Sequence, residues 1–292
     1  MSSGNFGGGS GTSTDPYIVE DWADFAAITD RTAYYKLSVD LDANNRNNGV
    51  WEPFEIVFKS LDGDSHHIRN IYYTGSGNAI SVGTSGGGSL EVKNIYFEQC
   101  VCPSGNLIKT GGYAGTNHNT FTRCKFTVVA LALFSRGSSG TTNLESCSIS
   151  MRNGGLMNNS VSLSGYDDAK RTSIRFTNGI ESNSSDGASF RSFNFQQCEI
   201  IGDINATSGT AYFSGTNNSF VADFGGTLES ATFANGDANQ PTLFDIDKLG
   251  CTPTGTGLIA AHTNQCSTPA NAEWLQAQGF PVIVSENGSE VV

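Results

Sequence analysis

Hydrophobic and polar residues alternate along most of this chain in short runs. Runs such as "ISVG", "LEVKNIYF" and "SIRF" place apolar side chains at every second position, which is the spacing of a β-strand with one buried face. Glycine, asparagine and serine separate the runs, and these residues favour tight turns. The pattern therefore predicts many short strands joined by corners.

An apolar residue followed three positions later by cysteine recurs in the middle of the chain. The motif occurs at Phe97 and Cys100, Phe121 and Cys124, Leu144 and Cys147, and Phe195 and Cys198. With Tyr73–Ser76 placed before the motifs and Phe220–Asp223 after them, the successive steps are nearly equal except for one. The step from Cys147 to Cys198 is close to two periods, so one rung is expected to lack the motif.

A period of about 24 residues in strand-like sequence is typical of a solenoid whose turns stack on one another. Each strand then pairs with the same position one turn later, which makes the strands parallel. The repeat predicts an all-β fold, a single-stranded parallel β-helix. Its structural core is expected to contain the eight motif residues, with the four cysteines in one inward column.

The cysteine column has a structural interpretation, because small apolar side chains suit inward positions. Zinc would need paired ligands, and Cys100 with Cys102 has no matching pair elsewhere. Disulfides between stacked rungs remain open geometrically, but free thiols are favoured there. Cys251 and Cys266 are the better disulfide candidates. The sequence thus predicts no metal site and no cofactor.

Composition and charge limit the classes of molecule that this protein is expected to bind. The chain has 292 residues, of which 37% are hydrophobic and 15% charged, and its aromatic residues (18 Phe, 9 Tyr, 3 Trp) require a core. A formal net charge of −12 without a Lys/Arg cluster argues against nucleic acid. No apolar run reaches the roughly 20 residues of a membrane span. The N-terminus "MSSGNFGGGSG" does not resemble a Sec signal, so the protein is expected to act where it is made or to leave with a virus particle.

Two polar segments are candidates for chemistry. "DGDSHH", at 62–67, contains acids and imidazoles, but Asp62-Gly63 is a strong turn dipeptide, so the segment is predicted to be a corner. "YDDAKRT" falls in the irregular double turn and is predicted to form a binding loop for sugar hydroxyls. The alternative for that loop is a solvated segment with local ion pairs. Its candidate binding residues are Tyr166, Asp167, Asp168, Lys170 and Arg171.

Glycoside hydrolysis would require two carboxylates close together. On a β-helix, this means acids at the same phase of adjacent rungs. Glu98, Glu145 and Glu199 flank the cysteine column at positions −2, −2 and +1 relative to the cysteines, and the first two are two rungs apart. No catalytic residue is therefore predicted, and an enzyme is the least supported interpretation.

Several motifs in order resemble the N-terminal pattern of GLUG-type right-handed β-helix proteins. They are "GTSTDPYIVEDWADFAAI", "AYYKLSVDLDAN", "WEPF" and "FKSLDGDSHHIRNIYY", and the ending "NAEWLQAQGFPVIV" is similar to the family's terminal segment. The family's Gly-Leu-any-Gly tetrapeptide is not obvious in the coils, and Lys59, Ser60 and Asp64 stand where glycine is more usual. The resemblance implies a right-handed coil with a short N-terminal helix, of a kind found in bacterial surface proteins and phage appendages.

The predicted organisation has four parts. Residues 1–12 form a flexible Gly/Ser segment, 13–54 an entry and cap region, 55–225 the β-helix rungs, and 226–292 an irregular C-terminal segment and cap. Trp274, Leu275 and Phe280 are expected to fold back on the last turn, because an open β-helix end exposes unpaired backbone groups and core.

The resemblance, the absent signal and the Gly/Ser N-terminus together favour a virion structural protein. The first hypothesis is a phage fibre, spike or surface appendage that binds other virion proteins and a host-surface carbohydrate and is located on the virion surface. Analogy with phage spikes suggests a homotrimer. The second hypothesis is a secreted adhesin of the bacterial cell surface. The third is a tailspike-like enzyme that degrades polysaccharide.

Overall fold

The structure is a computed structural model that describes residues 6–45, 51–82, 88–110, 117–136, 141–159, 167–181, 193–206, 210–216, 218–223, 230–234 and 236–261. These ranges contain the α-helices α1 Trp22–Ala26 and α2 Ile246–Leu249 and a 3-10 turn at Ala43–Asn45. In chain order the strands are β1 Tyr17–Val19, β2 Tyr34–Leu37, β3 Leu41–Asp42, β4 Phe54–Ile56, β5 Ser60–Asp62, β6 His67–Arg69, β7 Asn78–Val82, β8 Gly88–Lys93, β9 Tyr96–Thr110, β10 Asn117–Thr122, β11 Lys125–Arg136, β12 Thr141–Glu145, β13 Ser148–Arg152, β14 Gly155–Asn159, β15 Asp167–Lys170, β16 Ser173–Glu181, β17 Phe193–Gln196, β18 Glu199–Ala206, β19 Thr210–Thr216, β20 Ser219–Asp223, β21 Ser230–Ala234, β22 Thr242–Asp245, β23 Thr254–Gly255 and β24 Leu258–Ala261.

The strands stack into two long parallel sheets. The first sheet has 11 strands in the order β1-β2-β5-β8-β10-β12-β15-β17-β19-β21-β23. The second has 13 strands and follows β3-β6-β9-β11-β13-β16-β18-β20-β22-β24, with β4, β7 and β14 beside this path. The chain passes alternately between the sheets, and each strand pairs with its equivalent one rung later. This arrangement confirms the predicted all-β parallel β-helix.

Two long strands bend to make a further face of the coil. The first part of β9 pairs with β6, whereas its end, from Asn106 to Thr110, pairs with β7. β11 pairs with β13 at its start and with β14 at its end. Register shifts within the β9–β11 pair mark the bend, as expected for β-bulges at a corner.

The core consists of two columns of in-register apolar residues, one from each sheet. The first-sheet column is Leu61, Val92, Phe121, Leu144, Ala169 and Phe195. The second-sheet column is Ile68, Phe97, Phe126, Ile149, Ile174 and Ile200. All twelve side chains are buried. Their burial against the neighbouring rungs supplies the main driving force for the stack.

A left-handed backbone conformation turns the chain at the corner between the two columns. Five residues at the equivalent position have positive φ, with values from 46° to 55°, although none of them is glycine: Asn94, Arg123, Ser146, Arg171 and Gln197. The backbone N–H of each donates to a carbonyl oxygen of the next rung. Each corner therefore has an unfavourable backbone conformation for a non-glycine residue, but its backbone N–H still forms a hydrogen bond.

Replacing Ser146 by glycine is expected to stabilise the fold by about 0.5 kcal/mol or more. Glycine removes the steric cost of the left-handed conformation, and this gain is larger than the free energy lost because glycine makes the unfolded chain more flexible. Ser146 is exposed and has φ +55°. The matched control is Ser148→Gly, two residues later in β13, which should lose about 0.5–1 kcal/mol. Chemical denaturation would measure both, and equal losses in the two variants would contradict this account of the corner.

The residues that follow the five left-handed positions form a column together with Asn218, which precedes the partner of Glu199 in the next rung. This set is called the corner column: Ile95, Cys124, Cys147, Thr172, Cys198 and Asn218. The prediction that Cys100 belongs in this column is wrong. A register shift leaves Gln99, with φ +54°, out of the ladder, so that Cys100 pairs with Val128 inside the second sheet. The rung predicted to lack the motif exists, with Ala169 and Thr172 in the motif positions.

The two outer extensions of the repeat are also wrong. Ile68, not Tyr73, pairs with Phe97, because the rung between them is longer than the period that the motif predicts. Phe220 pairs with Ile200 rather than with Phe195. Parallel pairing moreover runs from β1 to β24, so the stack extends to both sides of the predicted range of 55–225.

Polar side chains in the corner column form hydrogen bonds with buried backbone groups near the turn. The Sγ atoms of Cys124, Cys147 and Cys198 lie within hydrogen-bonding reach of a carbonyl oxygen one rung earlier, at 3.6, 3.3 and 3.1 Å. Asn218 does the same more strongly, because its Nδ2 donates to the Phe195 carbonyl at 3.0 Å and its Oδ1 accepts from the Cys198 N–H at 3.0 Å. The motif's cysteine is therefore a small buried donor.

The N-terminal end of the coil is closed by its own chain. Asp21 caps α1 by accepting from the N–H groups of Ala23 and Asp24 at 2.8 and 2.9 Å, which confirms the predicted short helix. Within the segment expected to be flexible, Gly7 N–H donates to Ile18 O at 2.9 Å and Ile18 N–H donates to Gly8 O at 3.0 Å. These bonds cover the outer edge of β1.

The predicted C-terminal cap, with Trp274, Leu275 and Phe280, lies outside the described residues. In the described ranges, no helix has the length and hydrophobicity needed to cross a membrane.

Candidate binding surface

A continuous row of polar residues runs along the outer face of the first sheet. Strand pairing aligns one outward position from eight successive strands, and this set is called the outer row: Lys36, Asp62, Lys93, Thr122, Glu145, Lys170, Gln196 and Thr216. All eight side chains are exposed or half-buried. Neighbouring members are therefore about 4.8 Å apart, the spacing of paired strands.

Opposite charges alternate in the first part of the outer row. Lys93 Nζ lies 3.7 Å from Asp62 Oδ2 and 3.6 Å from Glu91 Oε2. Glu145 forms an ion pair with Arg171 at the adjacent corner. Cross-strand pairs of this kind favour the observed register, although each exposed pair stabilises the fold only slightly. Positive and negative charges therefore balance locally. Together with the threonine and glutamine side chains, the face presents hydroxyl, amide, carboxylate and ammonium groups.

The predicted binding loop is instead part of this regular face. Tyr166 lies outside the described residues, and the side chains of Asp167 and Asp168 are likewise not described, although their backbone belongs to β15. Lys170 is exposed in the outer row, and Arg171 occupies the left-handed corner. In the first sheet Ala169 pairs with Leu144 and Phe195, so Asp167–Lys170 belongs to a rung that stacks in register with its neighbours.

A second row of polar residues lies beside the outer row on the same face. Strand pairing aligns Ser60, Glu91, Thr120 and Asn143. Ser60 Oγ donates to Glu91 Oε2 at 3.1 Å. Farther along the face, His118 Nδ1 is 2.8 Å from Thr141 Oγ1. The first sheet thus presents a broad polar surface two or more side chains wide.

The "DGDSHH" segment is the tight turn that the sequence predicts. Asp64 and Ser65 have φ values of 49° and 69°. Asp62 Oδ1 accepts from the Asp64 N–H at 3.0 Å and from Asn94 Nδ2 at 2.8 Å. The Asp62 carboxylate therefore holds the turn and fastens it to the next rung.

The histidines after this turn meet an acid that sequence reasoning did not single out. Asp40 Oδ1 accepts from the His67 N–H at 3.0 Å and lies 3.1 Å from His66 Nδ1. Asp40 Oδ2 accepts from Arg69 Nη2 at 2.5 Å. These partners are 26 to 29 residues from Asp40 in sequence, so no local motif indicates the cluster.

The cluster continues across the second sheet. His67 Nδ1 lies 2.8 Å from Glu98 Oε2, but the two atoms do not form a well-aligned hydrogen bond. The imidazole also packs edge-on against Tyr96, with the ring centroids 5.1 Å apart. Lys125 Nζ is 4.0 Å from the other oxygen of Glu98. Polar side chains of consecutive rungs are therefore linked along this face as well.

A cavity of about 350 Å³ adjoins this cluster at the N-terminal end of the coil. Its lining consists of Glu20, Asp21, Trp22, Ala23, Asp40, Leu41, Asp42 and Asn45. Three of the four acids already accept hydrogen bonds from the chain, and Trp22 Nε1 donates to Asp42 O at 2.7 Å. Most of the polar groups around the cavity thus have structural roles.

Two carboxyl groups at this end of the coil have lowered pKa values. The pKa of Asp40 is lowered, mainly by the hydrogen bond from the His67 N–H and further by His66 and Arg69. The pKa of Asp42 is lowered by hydrogen bonds from the Asn70 side chain and the Asn44 N–H. Both carboxyls are therefore ionised at neutral pH and cannot serve as general acids. In the described part of the chain, no group of three or more His, Cys, Asp or Glu side chains is arranged to hold a metal ion.

Acid is expected to remove the contribution of Asp40 to stability. Because the folded-state pKa is lowered, the contribution is complete above the unfolded value of about 3.9 and is lost as pH falls through the lower folded value. In Asp40→Asn this pH dependence is absent. The difference in melting temperature between wild type and variant should shrink from pH 5 to pH 2, and a difference that stays constant would contradict the assignment.

The described cysteines are free thiols, and all except Cys251 are buried. Cys251 is a free thiol that packs beside the core after the left-handed Gly250. Cys266, the other half of the suggested disulfide, lies outside the described residues, so that disulfide stays a prediction. Burial raises the pKa of Cys102 and of Cys198 to about 12.

Thiol labelling at pH 8 is expected to distinguish these environments. In a Cys266→Ser background, a thiol-specific reagent should modify Cys251 quickly and the other five cysteines only after unfolding, because the buried thiols are inaccessible to the reagent. Mass spectrometry of digested protein identifies the modified positions. Rapid modification of Cys124 or Cys147 in the native protein would contradict the inward corner column.

Comparisons with known proteins give limited guidance. No family profile matches the chain. The chain is 29% identical over 127 residues to halomucin from Haloquadratum walsbyi, a match covering 39% of this chain and 1% of the length of halomucin. A Bacteroides ovatus crystal structure provisionally assigned as an immunoglobulin A1 protease is similar over 69% of this chain and 80% of that chain, with 15% identity and a TM-score of 0.38. The function therefore has to follow from the chain's own residues.

Proposed function

We propose that this chain is a structural protein of a virus particle, a phage fibre, spike or surface appendage, that binds a carbohydrate of the host surface through its first sheet. The observation that carries the proposal is the outer row, a line of polar side chains along a stack of parallel strands. The proposal includes a place among the GLUG-type β-helix proteins, whose motifs the N-terminal segments resemble.

The chemistry of the outer row suits sugars better than charged polymers. Sugar hydroxyls both donate and accept hydrogen bonds, and the row offers donors and acceptors side by side in Thr122, Glu145, Lys170 and Gln196. Its mixed charges create no strong field of one sign, and the net charge of −12 opposes binding to polyanions such as nucleic acid.

The geometry suits a linear glycan that runs along the coil. Successive members of the outer row are separated by about 4.8 Å, which is comparable to the size of one sugar ring. Each rung could then contact one sugar unit. Individual contacts on an exposed flat face are weak, so a homotrimer that presents several copies of the face would raise the effective affinity.

The binding test uses purified capsule and lipopolysaccharide from a panel of bacteria. Wild-type protein is expected to bind at least one of them, and Lys170→Ala combined with Glu145→Gln should weaken binding about tenfold or more, equivalent to about 1.4 kcal/mol. Arg152→Ala, at an exposed position of β13 in the second sheet, is the matched control and should bind like wild type. Binding that the double variant leaves unchanged would overturn the proposed surface.

Two further assays separate the remaining hypotheses. Incubation with a bound polysaccharide, followed by measurement of new reducing ends or unsaturated sugars, tests the degrading enzyme. Immunogold labelling of phage particles and of bacterial cells distinguishes a virion component from a cell-surface adhesin. Labelling of cells without particles would replace the virion proposal by the adhesin.

A further inference from the structure

An exposed arginine beside the outer row is held in one orientation by the chain. Arg123 directly follows Thr122 of the outer row and occupies a left-handed corner, with φ +52°. Its Nε donates to Asn94 Oδ1 at 2.8 Å. Asn94 is the left-handed corner residue of the preceding rung, with φ +53°. The guanidinium is therefore fastened to the coil at its inner nitrogen.

Asn94 is fixed in turn by a third rung. Its Nδ2 donates to Asp62 Oδ1 at 2.8 Å, and the same oxygen accepts from the Asp64 N–H at 3.0 Å. Both ends of the Asn94 amide are thus bound, so the amide presents its oxygen to Arg123. A chain of hydrogen bonds across three successive rungs orients the guanidinium, and this order reduces the entropy lost when a ligand binds.

The charge of Arg123 has no carboxylate partner among the described residues. The neighbouring cations Lys93 and Lys125 each lie within 4.0 Å of a carboxylate oxygen. Glu145, at the outer-row position of the next rung, pairs with Arg171 instead. Because Nε of Arg123 is already bound, its two terminal nitrogens remain for a ligand. Two such nitrogens match the two oxygens of a carboxylate.

We propose that Arg123 is a specificity-determining residue of the carbohydrate surface and that its guanidinium binds the carboxylate of an acidic sugar. The inference rests on the proposed function, because it names the class of glycan that the first sheet binds. The net charge of −12 opposes a dense polyanion. The ligand is therefore a glycan in which neutral sugars, lying along the outer row, separate the acidic ones.

Titration with single sugars tests the site without knowledge of the natural glycan. The signal is the Nε–H resonance of Arg123 in the isotope-labelled full chain, and the probes are sodium glucuronate, glucose and acetate. Glucuronate is expected to shift the resonance saturably, with a Kd of the order of 1–10 mM, and glucose should leave it unchanged. Acetate should bind about threefold more weakly or less, since it has no ring hydroxyls to contact Thr122.

Two results of this titration would overturn the proposal. A response to glucose as large as that to glucuronate, or no saturable response to glucuronate, would show that the guanidinium does not select the carboxylate. Equal Kd values for acetate and glucuronate would indicate an adventitious ion only.

Substitutions at Arg123 separate its charge from its planar shape. With the Thr122 backbone amide as the signal, Arg123→Gln should weaken glucuronate binding about tenfold or more. Arg123→Lys keeps the charge but loses the paired nitrogens, and it should weaken binding about threefold. Arg152→Gln, at an exposed position of β13 in the second sheet, is the matched control and should bind like wild type. A Kd for Arg123→Gln within about twofold of wild type would contradict the assignment.

Polysaccharide binding distinguishes failure of this inference from failure of the proposed function. Chemical reduction of the carboxyl groups in a bound capsule or lipopolysaccharide should weaken its binding to wild-type protein about tenfold or more. Unchanged binding would overturn the acidic-sugar assignment and leave the carbohydrate surface standing. Absence of binding to every polysaccharide in the panel, with the glucuronate response intact, would count against the proposed function and support the site at Arg123.

Discussion

Replacement of Phe126 by alanine is expected to destabilise the fold by about 3–5 kcal/mol, the cost of truncating a buried phenylalanine. The Phe126 ring is fully buried and stacks on Phe97 with a centroid distance of 5.2 Å. It also contacts Phe121 and Phe134, at 6.0 and 5.7 Å. Phe126 therefore joins two adjacent rungs and both sheets, and its loss leaves a cavity between them.

The matched control for Phe126→Ala lies in the same strand. Leu131 is 42% exposed, so Leu131→Ala should cost less than about 1 kcal/mol. Equilibrium unfolding in guanidinium chloride measures both changes. A cost below about 1 kcal/mol for Phe126→Ala would mean that the second-sheet column of apolar residues does not hold the coil together.

Replacement of Gly202 by alanine is the second change with a large expected effect, about 2–5 kcal/mol. Gly202 pairs with Phe176 at the register shift between β16 and β18 and has φ +105°. A methyl group at this position would overlap the Phe176 carbonyl oxygen. The variant therefore combines an unfavourable backbone conformation with a clash against a neighbouring rung.

Gly250 separates these two causes. It also has positive φ, at +76°, but an added Cβ would meet no atom within 4 Å. Gly250→Ala should therefore cost only the backbone contribution, about 1–2 kcal/mol. If thermal melts show equal losses for the two variants, the close approach of β18 to Phe176 does not contribute to the stability of the coil.

The sequence was sufficient to predict the parallel β-helix, because alternation of apolar residues and the recurring motif both come from the stacking itself. The spacing was reliable from Phe121 to Phe195, where each motif occupies the same corner. It failed at Cys100, since a bulged residue places this cysteine inward by a different route. A residue type that is usually buried, such as cysteine, indicates that a side chain points inward. It does not indicate which position of the repeat the residue occupies.

The polar clusters were less predictable for a similar reason. Asp62 and its turn are local, and the dipeptide Asp62-Gly63 was enough to predict them. Asp40 binds the backbone and side chains of a segment 26 to 29 residues away. The two segments meet because they lie at equivalent positions of successive rungs, and this depends on the length of the rung between them. The outer row likewise depends on the register of β15. This register could not be predicted from the sequence, because the rung that contains β15 lacks the motif.

The nearest-neighbour pairing of the strands determines how the protein responds to a pulling force. Each rung is bonded only to the rung before and the rung after it, so tension on the chain ends loads the ladders one rung at a time. Between Phe121 and Phe195 the rungs are nearly equal in length. Each rung that peels away releases about 80–90 Å of extended chain. In this part of the coil the molecule therefore lengthens under tension in steps of nearly constant size, while the rungs that have not peeled away stay paired.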